Sequence, residues 1–500
     1  MSEPKRASFL RRIFYGDATP NLPAENPFLE KKDNVISGRR LITRDEAAKI
    51  SRIEPGDPGV LFGGVKVSSK TNFIICGQTQ SGKSTLLKQM MAEALLKIGK
   101  GTDQRAVIYD ATGDFIPFVY GVMGDAAPVV ILDPEDERGY AWDISADITK
   151  PAQAKNLADI LIPKEAHEEP FFANGARGLV KAIIECFLLH KSDSEKSGKK
   201  FNWTLRDVFN AMKTKNQARE VLSYWSGRGD KDFEQEVELF LKRSNDDILS
   251  TVLTKIGDSL LVAAMWDKLP GLSIKDFVEN EDGKVIVITN SNETSSVVRE
   301  LNRLFVERLA QVLLDVPSQK GRKKRTYLFL DEFAELGKLK ATKDLLKLGL
   351  KKGIRLCLCY QNYEEVKDVY GDKEASVILS ESSTIAFLRQ TGDSAEDAAK
   401  FIGKQTVLIK SQSRSIGVGT QGSSSQFTDS DQQVERWTVP PGHFDTEILP
   451  ANAQNGVGGF FMSPSVRHVW FHQHQWEELR EIATIDSEKS DHVPKKPREG

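Results

Sequence analysis

Short apolar runs alternate with helical periodicity between residues 60 and 150. Phe73–Cys76, Ala106–Tyr109 and Val129–Leu132 lack polar alternation, the pattern of strands buried on both faces of a parallel sheet. Between the first two, Leu86, Leu87, Met90, Met91, Ala94, Leu95 and Ile98 recur at helical spacing, and Gly99 stops the run. From about 151 to 275 the pattern becomes almost purely helical, with no convincing strand. Asp159–Ile162, Arg177–His190, Arg206–Met212, Phe233–Leu241 and Ile248–Trp266 suit the helices of one bundle-like insertion. Alternation then returns, with strands at Lys284–Thr289, Thr326–Leu330, Ile354–Cys359 and Thr384–Leu388 and helices at Ser296–Leu314 and Leu336–Leu350. This succession predicts an α/β fold with a mostly parallel central sheet, interrupted by an all-α inserted domain. The expected divisions are an extended basic and polar arm at 1–59, core at 60–150, the inserted domain at 151–275, core again at 276–475, and a short helix with a tail at 476–500.

Polar stretches punctuate this plan. Residues 1 to about 60 are rich in Pro and charge, and Lys5–Tyr15 within them is basic and amphipathic; a flexible tail and a membrane-surface or partner-docking helix are both open. Ser411–Gln433, dominated by Ser, Gln, Gly and Thr, is expected to be a mobile loop. Lys191–Lys200, Pro317–Arg325 and the tail from Asp486 are expected to be solvated.

Composition narrows the classes. Hydrophobic residues make up 39% and charged residues 28%, which suits a globular core and excludes wholesale disorder. Lys and Arg total 69 against 71 Asp and Glu, a net charge of −2, so a nucleic-acid partner requires basic groups concentrated locally. Four cysteines in 500 residues, three of them in apolar strand-like runs, indicate reduced, buried thiols. No secretory signal and no apolar run long enough to span a bilayer is present, so a cytoplasmic chain is expected.

The chemistry begins at Gly77-Gln78-Thr79-Gln80-Ser81-Gly82-Lys83-Ser84-Thr85, which fits G-x4-G-K-S. In this spacing a glycine-permitted turn aims successive backbone N–H groups at a β-phosphate. Lys83 adds charge across the β- and γ-phosphates, and the Ser84 hydroxyl can ligate Mg2+. An apolar strand runs into Gly77 and an amphipathic helix leaves Ser84, so the context matches a nucleoside triphosphate site. Thr326–Leu330 followed by Asp331-Glu332 supplies its partner: Asp331 for the Mg2+ shell and Glu332 to polarise the attacking water. Paired carboxylates of this kind favour ATP hydrolysis by a RecA-like motor. Gln361, after Ile354–Tyr360, is a candidate γ-phosphate sensor, with a strand-end cap as the alternative. Arg389, after Ser383–Leu388, is a candidate arginine finger across a subunit boundary, with a surface charge as the alternative. The role of the acidic turn Asp110, Gly113, Asp114 is not fixed by local chemistry.

The chain carries two further patterns. Gly321–Arg325 is a basic run, expected to be a solvated loop. His468, Trp470, His472, His474 and Trp476 alternate along a late strand; a partly exposed strand or surface face is favoured over a metal or base-stacking face.

The ordered motifs resemble the TraD/TraG-type coupling ATPases of conjugation and type IV secretion, within the HerA/FtsK motor superfamily. The matching stretches are Gly77–Thr85, Val107–Phe115, Val130–Arg138, Pro170–Arg177, Leu330–Leu339 and Gly353–Gln361, across about residues 60–475. The resemblance implies a RecA-like P-loop NTPase core using ATP and Mg2+, and a homo-oligomeric, commonly hexameric ring with a central DNA channel. It implies that a relaxase-bound single strand is delivered to a type IV secretion channel, through sequence-tolerant, backbone-dominated DNA binding. It also implies that Lys83 and Ser84 hold nucleotide and metal, Asp331 and Glu332 hydrolyse, and Gln361 couples. A secretion ATPase for protein substrates and a soluble DNA-translocating motor are the alternatives. Members usually begin with two membrane-spanning helices, which this chain lacks. The expectation is therefore recruitment to the inner face of the membrane by a separate subunit, through Lys5–Tyr15, or action as a soluble motor.

Overall fold

The structure is a computed structural model that describes residues 34–124, 127–162, 170–224, 245–256, 259–290, 295–317, 324–419, 422–475. The expectations for Lys5–Tyr15, Phe233–Leu241, most of Gly321–Arg325, Trp476 and the tail lie outside the described residues. The chain divides into two compact units. The first draws its described residues from 34–97, 327–334 and 346–475, the second from 98–326 and 335–345.

In the first unit the strands are β1 (Asn34–Ser37), β2 (Leu41–Ile42), β3 (Val60–Phe62), β4 (Val65–Val67) and β5 (Phe73–Cys76). They continue with β6 (Arg325–Leu330, contributing from Tyr327), β7 (Ile354–Tyr360), β8 (Thr384–Phe387), β9 (Lys404–Gly419), β10 (Gly422–Trp437), β11 (Val457–Met462) and β12 (Val469–His474). One sheet runs in the order β2-β12-β11-β8-β5-β7-β6. Within it β5 pairs in parallel with both β7 and β8, and every residue of β5 is buried, as its unbroken Phe-Ile-Ile-Cys run requires. Antiparallel β11 and β12 extend the sheet beyond β8. The β3–β4 hairpin turns on Gly63 and Gly64 with φ of 56° and 69°, the left-handed pair that a two-residue hairpin turn demands. Its turn covers β12: the Trp470 indole N–H donates to Gly63 O at 2.9 Å, and a Cβ at Gly64 would lie 2.6 Å from the His472 ring.

Two expectations fail here. Residues 34–59 do not form an extended arm. Thr43 and Glu46 form a reciprocal capping box that starts helix α1 (Arg44–Ile50), β2 joins the sheet beside β12, and β1 pairs with β9. Ser411–Gly419 and Gly422–Gln433 are strand, not loop: β9 and β10 pair over 16 positions from Lys404↔Trp437 to Gly419↔Gly422. Backbone ladders need no apolar side chains, and a Ser- and Gln-rich composition hid the pairing.

The second unit holds a three-stranded parallel arrangement, with Val285–Thr289 between Gln104–Asp110 and Val129–Leu132. Helices Pro151–Leu161, Pro170–Lys196, Leu205–Ala211, Lys215–Ser223, Asn245–Ile256 and Ser259–Trp266 follow. The long second helix runs on through Lys191–Lys196, part of the stretch expected to be solvated, and Gly271–Leu272 adds a short parallel strand beside Ala141–Trp142. Buried Asp147 ties the end of this region down, accepting from the Trp142 indole, Ser273 Oγ and the N–H groups of Ile274 and Lys275. The expected helix at Leu336–Leu350 is broken into a 3-10 turn at Phe333–Leu336, a helix at Thr342–Leu348 and a second 3-10 turn at Gly349–Lys352.

Candidate nucleotide site

The loop that leaves β5 is held by backbone bonds on both sides. Gly77 N–H donates to Tyr360 O at the end of β7 (3.2 Å), and Gln78 N–H donates to Arg389 O beyond β8 (3.0 Å). Gln80 at φ 63° and Gly82 at φ 88° adopt left-handed backbone, which curls the chain around its own N–H groups. Helix α2 (Lys83–Leu95) starts from Gly82 with no side-chain cap and no acidic residue in its first turn. Its N-terminal N–H groups and the positive end of its dipole are thus left for an anion. A Cβ at Gly82 would sit 2.6 Å from Val457, so both conformation and space require glycine. Ser81 is buried, and its Oγ has no partner among the described residues.

The polar residues predicted for this site converge on that loop. Lys83 Nζ donates to Glu332 Oε1, and both side chains are at least nine-tenths buried. Glu332 holds left-handed backbone at φ 47°, a conformation that costs a non-glycine residue about 1 kcal/mol or more. Asp331 beside it is 1% exposed. Thr79 Oγ1 donates to Gln361 Oε1 at 3.1 Å, which brings Gln361 from the end of β7 onto the phosphate loop. Ser84 is exposed at the start of α2, next to Thr85. Arg389 is engaged within its own chain, its guanidinium 2.8 Å from Asp445 Oδ1.

Sequence reasoning missed three contacts. The Gln78 side-chain amide donates to Thr391 Oγ1 at 2.6 Å, Ala451 N–H donates to Gln80 O at 2.7 Å, and Asp445 pairs with Arg389. These partners lie far along the chain in unremarkable turns, and no local pattern marks them.

Other candidates resolve differently. Asp110 accepts from the N–H groups of Gly113 (2.8 Å), Asp114 (3.1 Å) and Phe115 (2.7 Å), so that acidic turn starts the helix Phe115–Met123. His472 and His474 do not line an exposed face, while His468, just before β12, is half-buried. His472 and His474 are 6% and 2% exposed, their ring centroids 4.2 Å apart beside Phe461, because the β3–β4 hairpin covers β12. Burial, with Arg44 nearby, holds the His474 imidazole down to about 4 and pushes His472 well below its ordinary value. No group of three or more His, Cys, Asp or Glu suited to a metal ion occurs among the described residues, and none of their helices is long and apolar enough to cross a membrane.

Comparison with known proteins follows the same lines. The coupling protein TraD of Escherichia coli (strain K12) is 23% identical over 398 residues, 78% of this chain and 52% of that protein. The probable conjugal transfer protein TraG of Sinorhizobium fredii (strain NBRC 101917 / NGR234) is 25% identical over 390 residues, 73% of this chain and 58% of that protein. The chain thus spans little more than half the length of these relatives. Among solved structures, the bacterial conjugative coupling protein TrwBdeltaN70 in its unbound monoclinic form matches with a TM-score of 0.70 at 21% identity, over 92% of this chain and 96% of that one. The plasmid coupling protein TrwB in complex with ADP and Mg2+ matches at 0.69 and 20%, over 94% of this chain and 100% of that one. The α/β P-loop architecture expected from sequence is therefore the fold of the chain. Over residues 62–446 it matches the model of the type IV secretion-system coupling protein DNA-binding domain, and it belongs to that family.

Proposed function

We propose that this chain is an ATP-hydrolysing coupling protein that drives DNA, as a relaxase-bound single strand, towards a type IV secretion channel. The observation that carries the reading is the convergence of Lys83, Glu332, Thr79 and Gln361 on one uncapped, glycine-built helix start. The relatives support it, because TraD is named a coupling protein, TraG a probable conjugal transfer protein, and TrwB is described with ADP and Mg2+.

The residues present fit a magnesium nucleotide. Ser84 and Asp331 are the protein's share of the metal shell, too few to cage the ion alone, as expected of Mg2+ that completes its shell with phosphate oxygens and water. Bound Mg2+ would neutralise charge on the phosphates. The N–H groups of Gly77–Thr85 hold the phosphate chain, and Lys83 exchanges its Glu332 partner for the phosphates. Glu332, so released, orients the attacking water and takes its proton. Gln361, already bonded to Thr79, reports whether the terminal phosphate is present. A homo-oligomeric ring, commonly a hexamer, is the assembly in which such a motor works. Arg389 serves a neighbouring subunit only if it leaves Asp445.

Phosphate release measured with and without oligodeoxythymidylate, at two salt concentrations, tests the reading. Stimulation by the strand, weakened by salt and absent in Lys83→Ala, is the expected result. Hydrolysis indifferent to every nucleic acid rejects it.

A further inference from the structure

A cavity of about 510 Å³ lies in the first unit at the end of β8 remote from the phosphate loop. Ser382 and Ser383 line it and lead into Thr384, whereas Arg389 leaves the other end of the strand and bonds Gln78. Four residues of strand separate the two ends by roughly 13 Å, so the cavity is a different place from the nucleotide loop.

Its walls carry two guanidinium groups, Arg39 and Arg467, and no carboxylate. Arg39 Nη1 donates to Ile402 O at 2.9 Å, which satisfies the C-terminal end of the helix Gly392–Ile402 and removes a carbonyl that would repel an anion. Arg467 has no ion pair among the described residues and sits at φ 67°, left-handed backbone in which arginine is rare. Ser382 is fully buried on the cavity wall, and its Oγ has no hydrogen-bond partner among the described residues; buried hydroxyls are normally satisfied. His468 accepts the Arg40 N–H at Nδ1, so a neutral ring presents Nε2–H as a further donor. Phe401 and Met462 give the cavity an apolar side. Donors and positive charge beside an apolar wall, in a space of this size, suit a phosphate joined to a flat ring rather than a bare anion.

We propose that this cavity binds one nucleotide unit, its phosphate on Arg467, Arg39 and Ser382 and its base against Phe401 and Met462. The unit comes from a DNA strand or from a free nucleotide. The DNA reading bears only on which source applies. Arg467→Gly removes the guanidinium while suiting the left-handed backbone, so the fold is preserved. The chain and this variant are titrated with a labelled 20-mer of oligodeoxythymidylate and with dTMP. A fluorescent ATP analogue monitors the phosphate loop, and its affinity is expected to stay unchanged.

The expected result is a loss of about 10-fold or more in affinity for both probes, with the salt slope for the 20-mer reduced by about 0.7. Weakened dTMP binding with unchanged 20-mer binding assigns the cavity to free nucleotide. Unchanged affinity for both probes overturns the proposal. A wild-type chain that binds no 20-mer sinks the DNA reading, while the dTMP arm still decides the cavity. Ser382→Ala repeats the test without touching charge, and an unchanged dTMP affinity there removes Ser382 from the site.

Discussion

Strand β8 is four residues long, and polar groups crowd both of its ends in different ways. Beyond Phe387 the chain meets a cradle made of main chain: Arg389 O holds the Gln78 N–H, and contiguous N–H groups follow around Gly82. Before Thr384 the donors are side chains, Arg39, Ser382, Arg467 and His468, drawn from separate segments. A main-chain cradle offers fixed dipoles and grips any polyphosphate in one pose. A cavity of guanidinium and hydroxyl groups is adaptable, and its grip depends on salt. On these two proposals the same sheet carries one rigid anion site and one soft one, and substitutions should separate them.

The largest effect is expected from Lys83→Ala, which should reduce phosphate release by at least about 10²-fold while leaving dTMP binding intact. If dTMP binding falls in parallel, the two ends are not separate sites. Glu332→Gln comes next, with turnover lowered by about 10²-fold and the nucleotide still bound, because the amide cannot take a proton from water. Equal losses of binding and turnover in that variant would reassign Glu332 to a structural partner of Lys83.

The wall behind Gly82 should respond to acid. Val457 lies against Gly82 and faces His474 across β11 and β12. The folded His474 pKa, about 4, lies below the ordinary 6.5, so the unfolded chain binds the extra proton between these values. Stability contributed by the neutral ring is complete above pH 6.5 and is lost as pH falls towards 4, on the order of 3 kcal/mol. Urea midpoints across that window should drop, and should drop less in His474→Gln. Identical profiles reject the buried neutral imidazole. The smallest effect is expected from Thr391→Val, which leaves the Gln78 amide without its 2.6 Å acceptor. Nucleotide affinity should weaken about fivefold, the worth of roughly one hydrogen bond. Unchanged affinity would show that the loop is held by its main-chain bonds alone.

The rigid site was legible in the sequence because its residues are contiguous or sit at strand ends. Gly77–Thr85 is a single run, and Asp331, Glu332 and Gln361 each terminate an apolar strand whose neighbours could be inferred. The cavity was not legible. Its lining is collected from residue 39, residues 380–383, residue 401 and residues 462–468, and nothing local tells a serine at 382 that it will be buried without a partner. The same blindness to distant covering explains His472 and His474. Alternation along β12 suggested a wet face, but the hairpin at Gly63-Gly64 dries it. For β9 and β10 the missing information was the partner: 16 paired positions stabilise a composition that has little intrinsic preference for strand.

The thiols have a practical consequence for following these sites. All four cysteines of the sequence are buried, and burial pushes the Cys76 thiol up to about 12. Thiol reagents need an accessible thiolate, so the folded chain should stay dark to maleimide. A cysteine introduced at exposed Ser383 would then be the one reactive sulfur on the molecule, and a dye placed there would watch the cavity fill without any native residue having to be removed.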